Sequence, residues 1–120
     1  MFSKVNTCIL QGLKGYIVEV ETDISRGMPT FNIVGLPDTS IKESKERVRT
    51  ALKNCGYGFP LNRITVNLAP ANLKKEGSQI DLSIAVGILT SMGIIEKNNF
   101  NRYAFIGELS LDGRVNKIEG

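Results

Sequence analysis

The run Lys74-Lys75-Glu76-Gly77-Ser78 sets a serine close to two lysines, directly before an apolar segment. A Ser-Lys pair is a route to nucleophilic catalysis that needs no histidine. That matters here because the chain has no His, so Ser-His-Asp and Cys-His catalysis are excluded within it. The competing reading makes Ser78 the cap of the following helix, with Asp81 three positions on as the acidic residue of its first turn. The sequence favours the cap, since both lysines belong to the same exposed loop. Lys74, Lys75 and the helix start also form a possible anion site. Asp81 fills the same field, which favours a solvated basic loop.

Other chemistries find less support. A P-loop needs a Gly-Lys dipeptide to wrap phosphates, and none occurs. Gly56-Tyr57-Gly58 follows a helix instead of linking a strand to one, so it is no dinucleotide fingerprint. Cys8 and Cys55 alone cannot fill a zinc site and form no CxxC pair. Both sit among apolar neighbours and are expected to be buried free thiols. The helix-like stretch after Pro37 carries Lys42, Lys45, Arg47, Arg49 and Lys53 against Asp38, Glu43 and Glu46. That is either a backbone-contacting face for DNA or a solvated face laced with pairs such as Glu43–Arg47 and Glu46–Arg49. No aromatic platform for base stacking is evident beside it. The best candidates for phosphate contact are Lys42, Lys45, Arg49 and Lys53, with Lys74 and Lys75 in the loop.

The elements that must position these residues follow from periodicity. The chain has 120 residues, 42% hydrophobic and 22% charged, with a net charge of +3, which fits one globular domain, 1–120. No apolar run is long enough to span a membrane, and no secretory signal opens the chain. A cytoplasmic location is expected. Val5 to Leu10 and Tyr16 to Glu21 alternate around a Gly12–Gly15 break and read as a hairpin. Phe31 to Leu36 is a third strand, expected to lie next in an antiparallel series because the breaks are short. A helix opens at Pro37-Asp38-Thr39-Ser40, with Ser40 and Glu43 at capping-box distance. Its apolar face is Ile41, Val48, Ala51, Leu52 and Cys55, and Gly56 stops it.

Arg63 to Leu68 alternates strongly, with Ile64, Val66 and Leu68 on one face. The second helix runs from roughly Gln79 to Met92, is apolar nearly all round, and should be central. Tyr103 to Gly107 reads as a strand. Leu109–Leu111 and Arg114–Ile118 flank the hairpin signal Asp112-Gly113. The class is α+β, in the order β-β-β-α-β-α-β-β. The abrupt end at Gly120 suggests a piece cut from a longer protein.

Three stretches carry a family likeness: GMPTFNIVGLPDTSIKESKERVRTAL, RITVNLAPANLKKEGSQIDLSIAVGIL and FIGELSLDGRV. Together they resemble the N-terminal domain of the bacterial magnesium-chelatase-like AAA+ ATPases, the ComM/YifB group. The resemblance spans essentially the whole chain. It implies the ribosomal protein S5 domain 2-like fold, shared with the proteolytic domain of Lon. It implies that an AAA+ module follows, that ATP and Mg2+ are bound there, and that no cofactor is held in residues 1–120. It further implies a homo-hexameric, DNA-stimulated helicase that drives branch migration in natural transformation. The DNA contact of this domain alone should be weak and indifferent to sequence. Lon-type proteases carry their serine in a D-G-P-S-A-G loop; matching the glycines to Glu76-Gly77-Ser78-Gln79-Ile80-Asp81 puts Gln79 at the nucleophile position. The resemblance therefore implies a non-proteolytic member serving assembly and DNA engagement. A cryptic Ser-Lys hydrolase, or a chelatase-type subunit acting on protein partners without DNA, is the alternative.

Overall fold

The computed structural model describes residues 1–71, 73, 75, 78–96 and 102–116. Two long strands open the chain, β1 (Phe2–Gln11) and β2 (Lys14–Ser25), followed by β3 (Thr30–Val34). Then come α1 (Asp38–Asn54), β4 (Arg63–Ala69), α2 (Asp81–Ser91) and the short pair β5 (Glu108–Leu109) and β6 (Val115–Asn116). The class is α+β. Lys74 lies outside the described residues, as do Lys117 and Ile118 of the expected last strand.

The four-stranded sheet is mixed, in the order β1-β2-β4-β3. β1 and β2 form the expected antiparallel hairpin. β3 departs from expectation: it does not follow β2 in an antiparallel series but runs parallel to β4. Parallel neighbours need a long crossover, and α1 supplies it. β4 inserts between β2 and β3, because a central position is what buries Ile64, Val66 and Leu68 completely.

The sheet alternates as a half-buried sheet must. Val5 and Ile9, then Val18, Val20 and Ile24, then Phe31 and Ile33, all face the helices. α2 lies across β1 and β2, and α1 packs beside it over β3. Every residue from Ser83 to Ser91 is buried, so α2 is the central helix its composition predicts. It sits very close to the sheet: a side chain at Gly87 would stand 2.6 Å from Thr22 Oγ1. Only glycine allows that approach. No helix among the described residues is long and apolar enough to cross a membrane.

Several local expectations give way to tertiary contacts. α1 starts at Asp38 behind Pro37, with no side-chain cap, so the Ser40–Glu43 capping box does not form. Its end behaves as expected, with Gly56 at φ 87° just past the last turn. α2 begins at Asp81 behind Ile80, also with no side-chain cap. Ser78 therefore does not cap it. The expected strand Tyr103–Gly107 makes one parallel bridge, Ala104 to Asn6, and then leaves β1. It leaves to serve α2: Leu82 N donates to Gly107 O at 3.0 Å, filling one of the unpaired donors of the helix start. The Asp112-Gly113 hairpin forms, pairing β5 with β6. Both cysteines are free, but neither is buried as expected: Cys8 is half-buried on the outward side of β1, and Cys55 is exposed because it stands at the C-cap beyond the turn that Val48 and Leu52 bury.

Ile84 is fully buried at the centre of α2, whereas Leu82 is half-buried. Ile84→Ala is expected to cost about 2–5 kcal/mol, and Leu82→Ala distinctly less. Urea unfolding of both variants checks this ranking; equal losses would misplace the helix.

Candidate nucleic-acid interface

α1 has two charged sides with different fates. Lys42, Lys45, Arg49 and Lys53 stand at i, i+3, i+7 and i+11, which places them on one side of a helix. At about 1.5 Å rise per residue the row is about 16 Å long. None of the four makes a side-chain hydrogen bond or ion pair among the described residues. The expected pair Glu46–Arg49 does not close: Thr50 Oγ1 donates to Glu46 Oε1 at 3.3 Å.

Aromatic rings lie under this row, a feature the sequence reading missed. Phe31 comes from β3 and Phe59 from the connection between α1 and β4, with ring centroids 5.1 Å apart. Arg49 Cζ stands 5.7 Å from the Phe31 centroid and 5.5 Å from that of Phe59. Lys45 Nζ stands 5.9 Å from Phe31. These are cation–π distances. Phe31 is 3% exposed and Phe59 half-buried, so the rings form a floor beneath the cations.

Arg47, on the opposite side of α1, is fully committed. Its Nε donates to Asp81 Oδ2 at 2.6 Å and its Nη2 to Asp81 Oδ1 at 3.2 Å. Asp81 is completely buried and also accepts from Ser44 Oγ at 2.9 Å and Leu109 N at 3.2 Å. The hydrogen bond that Arg47 donates to Asp81 is the main cause that raises the Arg47 pKa. The expected Glu43–Arg47 surface pair therefore does not form. A sequence signal for this existed: Asp81 opens a helix that is apolar nearly all round, and a carboxylate buried with such a helix needs partners.

The loop after β4 also departs from expectation. Lys75 does not project into solvent for phosphate contact. It is 2% exposed, and its Nζ donates to Pro70 O and Leu73 O, both at 2.6 Å. Burial pushes its pKa down. Its four-carbon stem packs by Gly35, where a side chain would meet Lys75 Cε at 3.3 Å. The ammonium thus ties the loop together from inside.

Gln79, at the position matching the Lon serine, lies in the turn before α2, where its carbonyl accepts from Gly107 N at 2.8 Å. Ser78 Oγ donates to Glu108 Oε2. Glu108 accepts a second bond from Asn116 Nδ2 at 3.1 Å. Ser78 and Lys75 are each bonded elsewhere, so they do not form a nucleophile–base pair.

The bonds from Ser78 and then Asn116, with the charge of Arg47 adding to them, hold the Glu108 carboxyl below its ordinary value of 4.5. A carboxylate with a depressed folded pKa stabilises fully above the unfolded value. The contribution is lost as pH falls through the folded one. The stability difference between wild type and Ser78→Ala should therefore be largest near pH 7 and shrink in acid, below the ordinary value of 4.5. Urea titrations at pH 7 and in acid measure it. A pH-independent loss would instead mark Ser78 as a helix cap.

Comparison with known proteins agrees with the resemblance. The family model described as subunit ChlI of Mg-chelatase matches residues 20–120. The uncharacterized protein YifB of Escherichia coli is 42% identical over 118 residues, which cover 98% of this chain and 23% of YifB. The competence protein ComM of Haemophilus influenzae is 42% identical over 109 residues, covering 91% of this chain and 21% of ComM. An uncharacterized protein of Mycobacterium tuberculosis is 43% identical over 111 residues, 92% of this chain and 22% of that protein. The chain thus spans less than a quarter of the length of these relatives. It belongs to the Mg-chelatase subunit ChlI family, in the group that holds ComM and YifB.

Proposed function

We propose that this chain is a non-catalytic domain of a longer magnesium-chelatase-like AAA+ ATPase, serving assembly and DNA engagement. The S5 domain 2-like fold, an N-terminal position and a cytoplasmic location belong to this reading. ATP and Mg2+ would bind in the AAA+ module, outside residues 1–120. The whole protein would be a homo-hexameric, ComM-type helicase acting in branch migration during natural transformation. The name of the Haemophilus relative, a competence protein, supports the setting.

The observation that carries DNA engagement is the α1 row. Lys42, Lys45, Arg49 and Lys53 lie on one side of a rigid helix, and among the described residues none is in ion-pair contact with a carboxylate. Rows of unpaired cations on rigid elements suit a polyanion, and contacts to phosphate carry no sequence information. Lys75 leaves the set, since it is buried. One domain offers few contacts, so its affinity is low. Several copies around one ring would multiply it through effective concentration.

The chelatase-subunit reading without DNA draws on the description of the matching family model. Salt dependence separates the two. If four cations contact phosphate, log K against log salt should fall with a slope of about −3 to −4. Lys42→Glu with Lys53→Glu should flatten the slope and, in the full-length protein, reduce DNA-stimulated ATPase more than basal ATPase. Unchanged stimulation at low salt would overturn DNA engagement by α1.

A further inference from the structure

We propose that Arg49, carried on the rings of Phe31 and Phe59, is a stacking platform for an unpaired base, so that the α1 row selects single-stranded nucleic acid over duplex. The inference rests on the reading of α1 as a polyanion-binding face and names its ligand more closely.

Arg49 is set apart from Lys42 and Lys53 by the rings beneath it, and from Lys45 by standing over both of them. Lys42 and Lys53 are exposed, strongly hydrated point charges, and their ammonium groups bind phosphate wherever it presents itself. Arg49 is half-buried over two rings at 5.5 and 5.7 Å. A guanidinium is planar and weakly hydrated, and it stacks on aromatic faces. The two rings cover its inner side. Its donors are unused among the described residues. The outer side is therefore a flat cationic surface whose position is already fixed, which lowers the entropy lost when a ligand meets it.

A flat guanidinium flanked by ammonium groups fits a base and its neighbouring phosphates together. Bases of a duplex are stacked on one another and show no face to such a surface. Unpaired bases are free to be splayed out and stacked on aromatic side chains or on Arg guanidinium planes. Lys45, which shares the Phe31 ring, and Lys42 and Lys53 beyond it would take the phosphates on either side. The stack senses a base face and not a sugar, so DNA and RNA single strands are equivalent ligands. A merely structural role for Arg49, shielding Phe31 and Phe59 from water, requires only its alkyl stem. It would leave strand preference untouched.

The test is fluorescence anisotropy of the 120-residue protein at low salt with four labelled 20-mers. These are single-stranded DNA, the same DNA with abasic sites, single-stranded RNA, and the duplex. The expected result is weak but measurable binding of both intact single strands, with the duplex and the abasic strand each weaker again by roughly 5- to 150-fold, the range for losing one stacked base. The abasic strand keeps its phosphates, so this arm isolates stacking in unaltered protein. Arg49→Lys keeps the charge, and Phe59→Leu keeps the apolar cover. Each should erase the single-strand preference by lowering binding of the intact single strands to the level of the abasic strand. Lys42→Glu should weaken all the ligands alike. Equal binding of duplex, abasic and intact strands overturns the stacking platform and leaves phosphate contact standing. No binding to any of them overturns the nucleic-acid reading itself, and binding of RNA alone overturns the equivalence of the two strands.

Discussion

A carboxylate with no access to water sets the terms for this fold. Asp81 opens α2 and is completely buried. Stranding such a charge would cost several kcal/mol against a total stability of about 5–15. It is satisfied from three directions: Ser44 and Arg47 of α1, and the backbone of Leu109 in β5. The positive end of the α2 dipole also favours negative charge there. One side chain thereby joins both helices and the terminal hairpin. That hairpin is short and has little apolar area of its own to hold it, so polar tethers such as Leu109 N to Asp81 matter there.

The same contact divides α1. Arg47 is drawn inward, so its positive charge is spent on structure. The row Lys42, Lys45, Arg49 and Lys53 lies on the other side and keeps its charge for solvent or a ligand. The outer face of the sheet is of mixed charge: Glu19 and Asp23 of β2 are exposed there and Glu21 accepts from Asn67 Nδ2 at 2.8 Å, but Lys4, opposite Glu21, and Arg63 point the same way. The clustered cations therefore lie along α1, and that is the side a polyanion would approach.

Local pattern was legible wherever one residue's environment depends on its near neighbours. The alternation in Ile64, Val66 and Leu68 and the all-apolar character of α2 both led to the right element and the right burial. So did the stop at Gly56, whose positive φ is a backbone property. Pairing across distance was not legible. Alternation assigns a strand its inner face but not its neighbour, so the parallel partnership of β3 with β4 had no local sign. Ser78 and Arg47 were misread for the same reason. Each has a good local partner in sequence, a helix end and Glu43, yet each bonds a residue 30 and 34 positions away. Lys75 was read as a loop cation because charge normally seeks water; two carbonyls in its own loop supply the alternative. Phe59, in an irregular connection, carries no periodicity from which its place beneath Arg49 could be read.

A double-mutant cycle between Asp81 and Arg47 measures whether this buried contact ties α1 to α2. Stability is measured by urea unfolding at pH 7 for wild type, Asp81→Asn, Arg47→Met and the double variant. If the buried carboxylate and its guanidinium act as one unit, Arg47→Met should cost about 3–5 kcal/mol, since it strands a buried charge, and Asp81→Asn less, since the Arg47 side chain keeps some exposure to water. The double variant should then lose much less than the two losses combined, leaving an interaction energy of about 1–3 kcal/mol. Losses that add to within about 0.5 kcal/mol would show the two groups to be independent. In that case Asp81 would not be the contact that ties α1 to α2.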